Sequence, residues 1–195
     1  MPGYELIGQE EFNEIKHLFD ESKILFRHGF DHLRNNIYKV KEFEKAFAER
    51  MNIPHALGVT SGTSALRVAL AALDIKEGDE VITQSFTFVA TVEAIIESRA
   101  MPVITEIDKT LNMDPVDLEQ KITDKTKAII VVHMLGVPAR LREIKEIADR
   151  HGISLIEDTA WGCGGYYENI PLGTYGDIGT YSFDFAKTMT TGEGG

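Results

Sequence analysis

The chain has 195 residues, 43% of them hydrophobic, and 20 Lys and Arg against 31 Asp and Glu give a formal net charge of −11. Such a length supports a real core and about one domain, while the acidity and the lack of a dense basic stripe exclude a phosphate-backbone binder, so no nucleic acid partner is expected. A single cysteine, Cys163, excludes an internal disulfide framework and any multi-cysteine zinc centre, and no metal site is expected.

The opening residues, "MPGYELIGQEEFNEIK", lack the charged and apolar regions of a secretion signal, and no apolar run reaches the roughly 18 residues of a membrane span. A soluble, cytoplasmic protein without a membrane partner is the expectation. From Gly8 to about Ser22, Phe12, Ile15, Leu18 and Phe19 recur at helical spacing, as do Val40, Phe43, Phe47 and Met51 in "VKEFEKAFAERM". Both read as amphipathic helices. Between them "FRHGFDHLRNN" has aromatic, His and Arg residues but no period, and reads as a loop.

Beyond Asn52 short apolar runs at "HALGV", "EVITQ", "MPVITEI", "KAIIVVHM" and "ISLIED" alternate with helical segments near 63–73, 87–98, 115–122 and 139–151. This rhythm predicts an α/β fold, a three-layer αβα arrangement around a mostly parallel sheet. Ligands of such sheets sit at the carboxyl ends of the strands. The residues to interrogate are therefore Ser61-Gly62-Thr63, Ser85-Phe86-Thr87-Phe88, His133, Asp158 and the Lys187 segment after "IGTYSF". The sheet pattern shows no end before Gly195, so the chain is expected to be cut from a larger protein.

In "GVTSGTSALRVALAAL" the Ser61-Gly62-Thr63-Ser64 junction is either an ordinary helix N-cap or an anion cradle built from free backbone N–H groups and a helix dipole. It is not a Walker loop, since the lysine of that motif is missing. "LIEDTAWGCGG" ends a strand on Asp158, which either caps the next turn or offers a counter-charge to a cationic ligand. Phe88 opens an apolar helix face, where core packing is the default over stacking on a ligand. His133 is equally a core histidine or a site residue. Cys163 has no activating base beside it and reads as inert.

Lys187 stands among Phe183, Phe185 and Ala186. Lysines in dry pockets have lowered proton affinity and form Schiff bases. An anion cradle, an aromatic plate, a carboxylate and an amine, each following a different strand, together meet the needs of pyridoxal phosphate (PLP).

The motifs "TSGTSAL", "GDEVITQSFTFVATVEAI", "IEDTAWGCGG", "GTYGDIGTYSF" and "KTMTTGEGG" resemble the DegT/DnrJ/EryC1/StrS family of sugar aminotransferases, fold type I among PLP enzymes, over residues 35 to 195 or so. The resemblance implies an aspartate aminotransferase-like large domain at 35–195, incomplete and without its small C-terminal domain, preceded at 1–34 by a helix and a substrate-side loop. It implies that Lys187 binds the cofactor aldehyde, that Asp158 pairs with the ring nitrogen, that Gly62, Thr63 and Ser182 hold the phosphate and that Phe88 stacks on the ring. Trp161 departs from the pattern, which usually has Gln or His there near the cofactor's phenolic oxygen. The family also implies a homodimer, an amino acid donor (L-glutamate) and a keto or aldehyde sugar acceptor. "EDTAWGCGG", "FRHGFD" and "SFDFAKTMTTGEGG" most resemble members that aminate position 8 of a 3-deoxy-octulosonate (Kdo) for lipopolysaccharide. Arg27, His28, Arg34 and His133 are then substrate candidates, the arginines as carboxylate partners, or simply solvated. The rivals are a nucleotide-sugar aminotransferase, a sugar 3-dehydratase, whose imine lysine is replaced by histidine and against which Lys187 speaks, and a non-catalytic protein or fragment on the same scaffold.

Overall fold

A computed structural model describes residues 3–195. After a 3₁₀ turn at Gly3–Leu6, helix α1 spans Gln9–Glu21, and the Glu11 carboxylate accepts the Gly8 N–H at 2.7 Å. Its period matches the sequence expectation, but its apolar face is not buried: Phe12, Ile15 and Phe19 all remain exposed. The "FRHGFDHLRNN" segment is a loop with one 3₁₀ turn, Asp31–Leu33. Helix α2, Lys39–Met51, sets Phe43 and Phe47 edge-on against Phe183 and Tyr181, with centroids 5.0–5.8 Å apart. Edge-to-face rings attract beyond their buried area, and these fasten α2 to the segment that leads to Lys187.

The main sheet is parallel throughout, in the order β2-β1-β3-β4-β7, formed by β1 Glu80–Gln84, β2 Met101–Thr105, β3 Thr126–Val132, β4 Ser154–Asp158 and β7 Ile178–Thr180. A short antiparallel pair, β5 Tyr166–Tyr167 and β6 Ile170–Pro171, lies outside it. Helix α3 Gly62–Ala72 precedes β1, and the crossovers carry α4 Val89–Glu97, α5 Pro115–Lys121 and α6 Leu141–His151. β3 reads "TKAIIVV" because a strand covered on both faces has no polar side.

Alternation along each strand divides the core. Val81, Ile130 and Ile156 face Leu66 and Leu70 of α3 and Ile95 of α4, whereas Ile82, Ile129 and Leu155 face Leu118 of α5 and Leu141 and Ile144 of α6. The expected "HALGV" strand does not form. Its backbone meets a neighbour through Val59, which exchanges both hydrogen bonds with Gly195 at 2.9 and 3.1 Å, and one paired residue does not make a ladder. Among the described residues, no helix is long and apolar enough to cross a membrane.

Candidate active site

The loops leaving the carboxyl ends of the strands close around a cavity of about 420 Å³, walled by Gly62, Thr63, Phe88, Asp158, Trp161, Ser182 and Lys187 among others. Parallel strands all end on this side, so residues far apart in sequence meet there.

At one end stands the first turn of α3. Ser61 is its N-cap, with Oγ accepting the Ser64 N–H at 3.0 Å, and the helix ladder begins with Ala65 N–H on the Ser61 carbonyl at 2.9 Å. The N–H groups of Gly62 and Thr63 precede that ladder, which leaves them free for an external acceptor. The cap and the cradle are thus the same structure. A Cβ on Gly62 would come 2.8 Å from the Cβ of Ser182, so glycine here is what brings the Ser182 hydroxyl against the helix terminus.

Phe88, on the cavity wall, is the N-cap residue of α4 and is 63% exposed, so it is not packed in the core. An exposed ring on the same cavity as a buried carboxylate offers a surface on which a planar ligand can stack. Asp158, the last residue of β4, is 5% exposed, and its oxygens accept from Thr91 Oγ1 and from the Ala160 N–H, both at 3.1 Å. Thr91 is in turn 2.8 Å from the Thr87 hydroxyl. Burial pushes Asp158 above the usual carboxylate range, and the hydrogen bonds from Ala160 and Thr91 only partly offset this. Both donors are neutral, and among the described residues no cation comes within salt-bridge distance of the carboxylate.

The Lys187 amine lies at the far side, at the end of a turn in which Asp184 accepts from the backbone N–H of Ala186 through Oδ1 (3.1 Å) and of Lys187 through its carbonyl (3.0 Å). Its Nζ sits over the Trp161 indole, 4.0 Å from the ring centroid. Desolvation pulls Lys187 below the ordinary lysine range, against the attraction of Asp184 and Asp158. The amine is half-buried, poised to lose its proton more easily than a surface lysine.

Two substrate candidates are corrected. Arg34 is 2% exposed, and its guanidinium donates to the carbonyls of Phe26, His28 and Gly29; it is the inner scaffold of its own loop. His133 is fully buried on the opposite face of the sheet. Its Nδ1 accepts the Ala139 N–H at 3.2 Å, so Nε2 carries the proton and donates to Glu157 at 3.0 Å. Arg27 is paired with Glu44, and neither it nor the exposed His28 lines the cavity. Cys163 fits its inert reading, since burial raises its thiol.

Sequence reasoning missed Thr91, which looks like part of an apolar helix face, and the N-terminal strap. There, Gly3 N–H donates to the Lys187 carbonyl at 2.7 Å, and Tyr4 stacks on Phe185 with centroids 4.4 Å apart. No periodicity in the first residues signals a partner so distant in sequence.

The donor set suits PLP: helix-terminal N–H groups with a hydroxyl for phosphate, an open aromatic face, a buried carboxylate lacking a cation, and an amine. The α/β fold is that of PLP-dependent aminotransferase structures. The DegT/DnrJ/EryC1/StrS aminotransferase family model matches residues 30–195. The chain is 46% identical over 157 residues to GDP-perosamine synthase from Escherichia coli O157:H7, covering 80% of this chain and 43% of that one. An aminotransferase structure from Psychrobacter cryohalolentis superimposes with a TM-score of 0.88 at 35% identity, over 96% of this chain and 46% of its own. The PLP form of a Streptococcus pneumoniae protein matches with a TM-score of 0.85 at 28% identity, over 99% of this chain and 50% of its own. The chain belongs to the DegT/DnrJ/EryC1/StrS family of PLP-dependent sugar aminotransferases, and it spans less than half the length of the first of these relatives.

Proposed function

We propose that the protein containing this chain transfers an amino group from an amino acid, L-glutamate, to the carbonyl carbon of a sugar, with residues 35–195 as the PLP-binding domain and residues 1–34 beside it. The observation that carries this reading is the placement of Asp158, Lys187, the α3 terminus and the exposed Phe88 on one cavity. When bound, PLP supplies an aldehyde that condenses with amines and a protonated ring that draws electrons from the adjoining carbon.

The residues have separable tasks. Gly62 and Thr63 N–H groups and the Ser182 hydroxyl bind the phosphate dianion. Asp158 holds the proton on the ring nitrogen by a close opposite charge, and Thr91 keeps the carboxylate aimed. Phe88 covers one face of the ring and keeps water off it. Lys187 Nζ would hold the cofactor's aldehyde carbon and, when free, would serve as the base for the proton on the amine-bearing carbon of the donor. The same amine returns a proton when the sugar is the acceptor.

Borohydride reduction of the yellow protein followed by mass mapping tests this directly. The reduced label is expected on Lys187 and absent from Lys187→Met; a label that persists in that variant overturns the reading.

For the acceptor we propose the 8-carbonyl of a Kdo-type sugar acid, supported by the segments around Trp161, His28 and Lys187. The second reading, a nucleotide-linked 4-keto-6-deoxyhexose, is favoured by the likeness to GDP-perosamine synthase. Pairing the purified protein with each acceptor and following 2-oxoglutarate release decides between them. A homodimer is proposed as well, supported by the uncovered apolar side chains Phe12, Ile15 and Phe19 of α1 and Phe26 and Phe30 of the following loop. Light scattering of a size-exclusion peak reads the mass, and a monomer overturns this part.

A further inference from the structure

We propose that the indole face of Trp161 is the docking place of the Lys187 ammonium whenever that amine is free, an assignment that rests on the reading of Lys187 given above. The contact is close, with Nζ 4.0 Å from the ring centroid, well inside the roughly 6 Å reach of a cation–π attraction, and tryptophan is the best of the aromatic partners.

Both ends of the contact are held. Trp161 sits in a double turn in which Gly162 N–H donates to the Thr159 carbonyl and Gly165 N–H to the Gly162 carbonyl, each at 2.9 Å. The Trp161 carbonyl lies against Gly136, where an added Cβ would come within 3.0 Å, so the turns after β3 and β4 interlock beneath the indole. On the lysine side, the Lys187 N–H is bonded to the Asp184 carbonyl at 3.0 Å and the Lys187 carbonyl to Gly3 N–H at 2.7 Å. Only the flexible stem is free to move.

The charged groups around the amine come from three segments. Asp158 on β4 and Asp184 on the lysine's own turn favour the ammonium, Glu193 on the last loop also lines the cavity, and burial opposes the charge. None of these carboxylates is hydrogen-bonded to Nζ, whose near contact is the ring. A lysine released from a covalent bond has a long stem and a strongly hydrated head that favour escape to water. The indole counters this by holding the cation over the cavity, within reach of the position it left.

Trp161 is the single tryptophan of these 195 residues, and the difference between the parent and Lys187→Met isolates its response from that of the rest of the protein. In protein freed of PLP, Trp161 emission is titrated from neutral to alkaline pH. We expect a transition as the amine loses its proton, absent in Lys187→Met; identical titrations in the two proteins overturn the proposal. In parallel, covalent capture of added PLP is timed against pH in Trp161→Leu and Trp161→Phe. Without the ring the ammonium loses support and the amine deprotonates at lower pH. Below the lysine midpoint the Leu variant therefore captures PLP about 2- to 30-fold faster, the span a cation–π contact allows, with Phe between Leu and the parent. A capture profile unmoved or slowed in the Leu variant overturns the proposal, while covalent capture at Lys187 in either case leaves the aminotransferase reading standing. Reduced PLP found on Lys187→Met sinks that reading instead.

Discussion

Asp158 is tuned against its own comfort. A carboxyl whose folded-state proton affinity is raised binds a proton at a pH where the unfolded chain has released it, so stability falls as pH rises through the folded value. Above the unfolded value Asp158 therefore gives the cofactor-free protein less stability than it does in acid. Asp158→Asn is expected to raise its thermal midpoint by about 2–4 °C for each kcal/mol of strain removed, with the gap closing in acid; calorimetry across pH checks this. The same change, like Asp158→Ala, is expected to cut turnover at least tenfold with the fold intact, and near-normal rates would speak against the pairing with the ring nitrogen. At Gly62 the argument is steric. The 2.8 Å clash of a Cβ with Ser182 predicts that Gly62→Ala loses about 1–3 kcal/mol of stability and binds PLP more weakly, measurable by urea unfolding and by absorbance titration.

At the scale of elements, β4 does two jobs through its alternation. Asp158 faces the cavity, and Glu157, one residue earlier, faces α6 and the 173–176 turn. Burial alone would push Glu157 up, but His133 and the N–H groups of Gly176 and Gly173 together hold it below its ordinary 4.5. That stability is present above the unfolded value and is lost as pH falls through the lower folded value, so acid unfolding is expected to set in below about pH 4.5. Glu157→Ala leaves a buried histidine and three N–H groups unpaired. A loss of about 3–5 kcal/mol, seen in chemical denaturation at neutral pH, is the expected result. These same elements mark how far the sequence can be read. Lys187, Asp158 and Ser61-Gly62-Thr63 were legible because parallel strands deliver their carboxyl ends to one side, and a polar residue ending an apolar run is visible in one dimension. Arg34 and His133 misled because burial of a polar group depends on partners that spacing does not reveal. Phe88 taken alone reads as core, since a ring at the head of an apolar helix usually is; the family motif is what marks it as a cavity residue.

Residues 3–195 form a parallel sheet with helices on both faces, whose site side is tied down by the 3–6 turn. Removing residues 3–6 deletes the Gly3 bond to the Lys187 carbonyl and the Tyr4–Phe185 stack. We expect the 184–192 segment to become the preferred cut in limited proteolysis and PLP affinity to drop several-fold, while the thermal midpoint moves little because both core layers are untouched. An unchanged cleavage pattern would show the strap to be dispensable. The strap also has a practical side: a fusion tag joined ahead of residue 3 would tug on the backbone that carries the reactive lysine, so comparisons between preparations are meaningful only when their leading residues are the same.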